Sequence, residues 1–409
     1  MVHKAQTPFH VMTKPIGPRC NLDCHYCFYL RKEGLYPGTK DFRMSPEVLE
    51  TYIRSYCEAQ PGDVISFAWQ GGEPTLLGLE YFERIVALQR QYAGGRRVEN
   101  ALQTNGTLLD DDWAVFLRRE NFLVGVSLDG PRNLHDTYRL TRGRRPTFDR
   151  VMAGIAVLKR HGVEFNTLTV VNRENSRRPL DVYKFLKDAG SGFMQFIPLV
   201  ESVQGGKPGE VGAASVRPER WGEFLIAIFD AWLAADIGRV YVQTFEVALS
   251  QWMGFVPSLC VFGETCGKAL ALEHNGDVYA CDHYVDPGHL IGNLMRTPLN
   301  ELVDSEAMRR FGDAKRDTLP AQCRRCPVLF ACRGECPKNR IALSEDGEPG
   351  LNYLCAGYRA FFEHADPALE TLSRLLRAGY PARDLRRVPR DQWKGRLGPR
   401  AATVGGCGA

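Results

Sequence analysis

The sequence has no apolar run approaching the ~20 residues that a membrane-spanning helix needs, which excludes a helical bilayer-spanning architecture. The opening segment, Met1 to Pro8, is polar and lacks the apolar stretch of a signal peptide, so the expected location is the cytoplasm. No internal repeat of fixed period is present, which sets aside a repeat array. No nucleic-acid-binding motif is present either. Charge of one sign is also scarce, with a formal net charge of only +4. Even that excess is local. From Arg374 to Arg400 there are nine Lys or Arg against two acidic residues, an excess of +7, so the rest of the chain carries −3. A basic end of this kind reads as a solvated tail rather than a binding surface.

What remains is an ordinary globular composition, 44% hydrophobic and 24% charged, which gives no reason to invoke disorder. The length of 409 residues allows one large or two modest domains with a substantial core. The unusual feature is thirteen cysteines. They stand at 20, 24 and 27; at 57; at 260, 266 and 281; at 323, 326, 332, 336 and 355; and at 407. In a reducing compartment, spaced groups of cysteines indicate metal ligation or catalysis rather than disulfides. Cys57 and Cys407 lie outside the groups.

From Phe9 to about Gly238, short β-branched or aromatic runs alternate with helical periods. The predicted strands are Phe9–Thr13, Val64–Trp69, Val98–Gln103, Phe122–Leu128, Val163–Val171 and Phe193–Val200. The clearest predicted helix has Ser45 as N-cap and Pro46 at its first position. It places Val48, Leu49, Tyr52, Ile53 and Tyr56 on one face, and Cys57 reads as a packed core residue of the same helix. Six strand–helix units in series predict an α/β fold with a parallel sheet, closed or partly closed like a barrel. Chemistry in such folds sits at the carboxyl ends of strands. A Gly-rich loop, Glu201 to Arg217, precedes a long predicted helix, Pro218–Ala235. After about Val240 the rhythm stops, and a domain boundary is expected near residue 245. The cysteine-rich stretch that follows shows little periodicity and is expected to need metal as its staple.

The first cysteine group reads Cys20-Asn21-Leu22-Asp23-Cys24-His25-Tyr26-Cys27, just after the first strand. Three thiolates hold three corners of a cubane and leave the fourth iron open, as a catalytic cluster requires. A zinc site completed by His25 is the bland alternative. Zinc favours paired C-x2-C groups, and no second pair lies nearby in sequence.

This C-x3-C-x2-C spacing, with an aromatic residue before the last Cys, resembles the signature of radical S-adenosylmethionine (SAM) enzymes. The resemblance implies a partial (β/α)6 radical SAM barrel and a SAM-binding 4Fe–4S cluster on Cys20, Cys24 and Cys27. It also implies a glycine motif that contacts the SAM amino group, here Gly71-Gly72-Glu73-Pro74. The later cysteines resemble the SPASM domain, a small cysteine-rich iron–sulfur domain. That likeness implies two auxiliary 4Fe–4S clusters, one on Cys260, Cys266, Cys281 and Cys336, the other on Cys323, Cys326, Cys332 and Cys355. Spacing alone does not give this pairing. The implied division is 1–245 for the barrel, 246–365 for the SPASM domain, and 366–409 for a C-terminal helix and basic flexible tail.

Several stretches are similar to one subfamily, the anaerobic sulfatase-maturating enzymes: CNLDCHYCFYL at 20–30, FAWQGGEPTL at 67–76, QTNGTL at 103–108, VGVSLDGP at 124–131 and CDHY at 281–284. Membership implies oxidation of a Cys or Ser of a sulfatase, in a C/S-x-P/A-x-R context, to Cα-formylglycine. A 5′-deoxyadenosyl radical removes a hydrogen from the target Cβ, and one proton and one electron then leave. By the resemblance Asp282 is the catalytic base, and an auxiliary cluster accepts the electron. The SAM contacts carried over are Tyr26, Gly71, Gly72, Glu73, Ser127, Arg139 and Val200. Arg139 suits a carboxylate. His135 and His283 are read as structural. A flavodoxin- or ferredoxin-type reductant and a monomeric state complete the expectation.

Two other functions fit part of the pattern. One is a SPASM-type maturase forming thioether or carbon–carbon crosslinks in a ribosomal peptide; such proteins carry a separate domain before the barrel, and here about eight residues precede the first strand. The other is an iron–sulfur electron carrier or scaffold, against which the three-cysteine group beside a SAM-type glycine motif argues.

Overall fold

The computed structural model describes residues 4–397. Cys407 and the closing Gly405–Ala409 lie outside the described residues. The chain forms two compact units. The first comprises residues 4–170, 184–197 and 265–317; the second comprises 171–183, 198–264 and 318–397.

The first unit is built on six strands: β1 (His10–Thr13), β2 (Val64–Trp69), β3 (Arg97–Thr104), β4 (Leu123–Ser127), β5 (Phe165–Val171) and β6 (Phe193–Pro198). They lie in sequence order across the sheet, and β1 through β5 pair in parallel. Each lies within a residue or two of its predicted bounds. The signal was strong because β-branched and aromatic residues pack alternate faces of these strands. Ile65, Phe67 and Trp69 of β2 are buried, and the Phe67 and Trp69 rings pack against Tyr52 and Tyr56 of the helix Pro46–Ala59. Fully burying one such side chain contributes about 1.5–3 kcal/mol. Ser45 caps that helix by accepting from the Val48 amide at 3.2 Å. Cys57 is wholly buried on its inner face, as its position in the pattern indicated.

The sheet does not end at β1. Residues 269–272 pair in parallel with β1, and the strands Asp277–Tyr279 and Leu290–Asn293 follow antiparallel. This differs from the expectation that the strand rhythm stops after about Val240 and that the region beyond needs metal as its staple. Strands of three and four residues are too short to show a period. Their burial, with Leu270, Ala271, Leu272 and Val278 fully enclosed, comes from a sheet whose other strands lie far away in sequence. The compact units therefore cut the chain differently from a boundary near 245.

In the second unit the helix Pro218–Ala235 occupies its predicted range, with Pro218 at its first turn. It crosses the helix Cys355–Arg377 closely: a Cβ on Gly222 would lie 2.9 Å from the Gly357 Cα, and one on Gly357 would collide with the Pro218 carbonyl. The segment after Gly379 is not a loose tail through Leu397. Leu385 is buried, and the Asp366 carboxylate accepts from the Arg396 amide at 2.9 Å and the Leu397 amide at 3.0 Å. Among the described residues no helix is long and apolar enough to cross a membrane.

Candidate active site and cluster-binding cysteines

β1 delivers the chain through Lys14–Arg19 into the Cys20–Cys27 loop at the carboxyl edge of the first unit's sheet. The loop is pinned by the segment that follows β4: Asp23 donates its amide to the Leu140 carbonyl at 2.8 Å, and His25 to the Tyr138 carbonyl at 2.9 Å. Cys24 is buried, and Cys20 and Cys27 are half-buried. Burial, with Glu73 next in importance, pushes the Cys20 thiol up to about 12. Burial likewise pushes Cys24 up to about 11, with Arg139 opposing and Cys27 adding to the rise. The three sulfurs thus lie close enough to resist one another's ionisation in a poorly hydrated pocket. Iron is the kind of partner such a donor set fits, because thiolates there need positive charge held among them.

The Gly71-Gly72-Glu73-Pro74 turn after β2 lies directly against this entry segment. Gly72 donates its amide to Gly17 O at 2.8 Å and Glu73 to Arg19 O at 2.8 Å. A Cβ on Gly72 would occupy the Arg19 carbonyl, and Gly71 has φ +127°, so both positions need glycine. Glu73 is fully enclosed. Its carboxylate accepts from the Thr75 amide (3.1 Å), Thr75 Oγ1 (2.7 Å), Thr104 Oγ1 (2.7 Å) and the Asn105 amide (2.7 Å). Those bonds tie the turn after β2 to the end of β3.

Tyr26, Asp129 and Arg139 form a buried chain. The Tyr26 hydroxyl donates to Asp129 Oδ2, and Arg139 Nη1 donates to the Tyr26 oxygen at 3.0 Å. Although burial opposes its charge, Tyr26, Cys24 and Asp129 around Arg139 hold the guanidinium's pKa well above the usual value. Its Nε is buried with no acceptor, a donor left over for an anionic group. Ser127, at the end of β4, accepts from Gln103 Nε2 at 3.1 Å. His135 is structural in this arrangement. Burial keeps it neutral; Nδ1 accepts from the Asp129 amide at 3.4 Å, and Nε2 meets Thr147 Oγ1 at 3.1 Å, which in turn donates to the Arg139 carbonyl. The His283 ring packs edge-on against Phe28, with ring centroids 5.8 Å apart.

Asp282 follows Cys281 in a short 3-10 turn and is buried. Lys14 Nζ, only 2% exposed at the end of β1, pairs with its Oδ1 at 2.5 Å. Burial alone would raise the carboxyl's pKa, but Lys14, with help from His283 and Lys32, outweighs it and holds the group below the usual carboxylate range. The same ammonium sits 4.6 Å above the Tyr29 ring, whose hydroxyl donates to the buried Glu273. Lys14, Tyr29, Asp129 and Asn105 were not singled out in the sequence. Asp129 and Asn105 lie inside the quoted VGVSLDGP and QTNGTL stretches, and Lys14 is marked only by being a lysine at a strand's end.

In the second unit, Cys323, Cys326, Cys332 and Cys355 all line one cavity of about 220 Å3. Burial raises the Cys355 thiol to about 11, with Cys323 and Cys326 adding to the rise, and it also raises Cys332 and Cys323. Four sulfurs lining one pocket supply enough donors for a cubane. The other implied set divides between the units: Cys266 and Cys281 belong to the first, Cys260 and Cys336 to the second. Val200 lies in the second unit, where its carbonyl accepts from Lys338 Nζ at 3.2 Å. Among the described residues no disulfide forms.

Comparison with known families matches residues 15–186 to the radical SAM superfamily and 260–327 to an iron–sulfur cluster-binding domain, SPASM. A serine-type anaerobic sulfatase-maturating enzyme of Bacteroides thetaiotaomicron is 45% identical over 381 residues, covering 90% of this chain and 92% of that one. The chain belongs to the anaerobic sulfatase-maturating enzymes. A cysteine-type anaerobic sulfatase-maturating enzyme of Clostridium perfringens is 34% identical over 88% of this chain and 97% of its own length. The solved structure of native anSMEcpe with bound AdoMet and Cp18Cys peptide superposes with a TM-score of 0.82 at 34% identity, covering 90% of this chain and 99% of that one. The radical SAM fold followed by a SPASM domain is thus the architecture of this sulfatase-maturating enzyme, and the family carries a SAM-binding cluster and auxiliary clusters.

Proposed function

We propose that this sulfatase-maturating enzyme oxidises a Cys or Ser in a C/S-x-P/A-x-R segment of a sulfatase to Cα-formylglycine, with Asp282 as the base. The observation that carries the assignment of the base is the buried Lys14–Asp282 pair at 2.5 Å. A base must be ionised before it accepts a proton, and a buried carboxylate needs a cation to stay so. When bound, SAM and its cluster supply the species that takes a hydrogen atom from the target Cβ, and the auxiliary clusters supply the electron acceptor.

The chain's own residues do the rest. Asp282 takes the proton from the target hydroxyl or thiol as the carbon–heteroatom double bond forms. For a Ser target the product is the aldehyde; for a Cys target, water hydrolyses the thioaldehyde and hydrogen sulfide leaves. Arg139, with its unused Nε, and Ser127 supply polar contacts for SAM. Tyr26 and Gly71 line the approach, Gly72 and Glu73 hold the turn that shapes it, and Val200 adds a contact. Cys20, Cys24 and Cys27 hold the SAM-binding cluster; Cys323, Cys326, Cys332 and Cys355 hold one auxiliary cluster; Cys260, Cys266, Cys281 and Cys336 hold the other. The functional division at 1–245 and 246–365, with 366–409 beyond, follows these donor sets rather than the compact units. The enzyme works as a cytoplasmic monomer with a flavodoxin- or ferredoxin-type reductant.

Anaerobic reconstitution with paired Cys- and Ser-containing sulfatase peptides tests the reading. Asp282→Asn is expected to keep cleaving SAM to 5′-deoxyadenosine while aldehyde yield, read by mass spectrometry, falls by about 10²-fold or more. Wild-type aldehyde yield from that variant would remove Asp282 from its role. The same assay on the unaltered enzyme identifies which of the two peptides is converted.

A further inference from the structure

The sulfur of Cys20 is approached by two N–H donors. The Leu22 amide lies 3.3 Å away, within the cysteine loop itself. The second donor comes from elsewhere in the fold: Asn105 Nδ2, just past the end of β3, at 3.8 Å. Asn105 is 6% exposed, so water does not compete strongly for its amide.

Its orientation is fixed by a closed ring of side chains. Asn105 Oδ1 accepts both the Thr107 amide (3.0 Å) and Thr107 Oγ1 (2.7 Å). The nitrogen must therefore face the other way, where it donates to Asn21 Oδ1 at 2.8 Å and to Cys20 Sγ. Asn21 closes the ring by donating from Nδ2 to Thr107 Oγ1 at 2.9 Å. The backbone at Asn105 is clamped in turn by Glu73 Oε2 at 2.7 Å. No side chain of the ring itself, Asn105, Asn21 or Thr107, is titratable.

We propose that Asn105 is a positioning residue that sets the reduction potential of the cluster on Cys20, Cys24 and Cys27; this rests on the cluster assignment proposed above. Adding an electron to a cubane places more negative charge on its cysteine sulfurs. N–H donors to those sulfurs stabilise the reduced form and raise the potential. The donor matters here because the buried Glu73 carboxylate, next to the same cysteine, acts in the opposite sense. The Gln103–Leu108 stretch thereby acquires a second role: it fastens the turn after β2, and it tunes how readily a protein reductant loads the cluster.

The test is an anaerobic EPR redox titration of the reconstituted full-length enzyme, following the signal that changes when SAM is added. Asn105→Ala is expected to shift its midpoint to more negative potential. Asn105→Asp, which turns a carboxylate oxygen toward the sulfur, is expected to shift it further. Thr107→Val, which releases the amide without removing it, is expected to give a smaller shift of the same sign. Pulsed EPR in H2O and D2O is expected to lose an exchangeable proton coupling in Asn105→Ala. An unchanged midpoint, or exchangeable-proton couplings identical to the parent's, in Asn105→Ala overturns the proposal. If that variant fails to load iron, an unchanged midpoint in Thr107→Val overturns it. Absence of any SAM-responsive signal in the unaltered enzyme would instead defeat the cluster assignment itself.

Discussion

The two cysteine sites that each lie within one compact unit differ in what surrounds the sulfur. In the first unit three thiols stand among three carboxylates, two carboxamides and a guanidinium, contributed by segments after β1, β2, β3 and β4. In the second unit four thiols line one cavity; the pairs Arg325 with Asp346 at 3.0 Å and Arg359 with Glu363 at 2.8 Å lie nearby, and one buried carboxylate, Glu335, acts on Cys332. An incomplete donor set leaves a corner whose chemistry the protein must specify, and it does so with buried polar groups. A complete set leaves no open corner to furnish, only the cage to build.

One cysteine removed from each set is the most direct way to break the comparison. Cys24→Ala is expected to abolish SAM cleavage completely. Cys326→Ala is expected to lower iron from about twelve to about eight per chain and to suppress aldehyde formation, yet still to cleave SAM. Iron analysis and chromatography of 5′-deoxyadenosine read both. If Cys326→Ala lost SAM cleavage as fully as Cys24→Ala, the sites would not be separable in the way their surroundings indicate.

The difference between the sites also explains what the sequence disclosed. Alternation carried β1 to β6 because it is a local pattern, whereas spacing marked only which cysteines fall in groups, and the pairing of the later eight came from the resemblance. The glycine turn was legible as a motif, but its physical basis was not: Gly72 must lack a side chain because the Arg19 carbonyl occupies that space. The partners of the reactive groups were hidden altogether. Lys14 reaches Asp282 only because residues 269–272 pair beside β1 and carry Cys281 and Asp282 to that edge of the sheet. Asn105 reaches Cys20 only because β2 and β3 are neighbours and Glu73 bridges their ends. Contacts made by strand order leave no mark on the residues that make them. The tail misled for the opposite reason: its Pro, Gly and Arg content signals a solvated end, while a single buried carboxylate, Asp366, collects it.

A smaller effect is expected where the second site depends on packing rather than ligation. Gly357 lies two residues after Cys355, at the contact with Gly222 and Pro218. Gly357→Ala forces the two helices apart and is expected to cost about 1–3 kcal/mol in urea unfolding of the loaded protein. Because Cys355 opens that helix, iron at the four-cysteine site is expected to become easier to chelate. A variant as stable as the parent would show that the crossing relaxes without strain.

Asp366→Asn is the mildest of these changes and separates the tail from the cage. The carboxylate accepts three N–H groups: Trp252 Nε1 at 2.8 Å and the Arg396 amide at 2.9 Å on Oδ1, and the Leu397 amide at 3.0 Å on Oδ2. A carboxamide of the same shape keeps one acceptor and sets its NH2 against a remaining donor, a mismatch costing about 1–3 kcal/mol. The strap it releases bears on the second site through Arg396, whose guanidinium lies 4.3 Å over the Phe330 ring between Cys326 and Cys332. Iron content is expected to stay unchanged, because the four thiols and the Gly222–Gly357 crossing remain. Hydrogen exchange at residues 395–397 is expected to rise, with a lesser rise at Leu329–Cys332. Faster exchange at the cage without any at the tail would mean that Asp366 acts on the cluster loop directly through Trp252, whose ring lies 4.8 Å from that of Phe330.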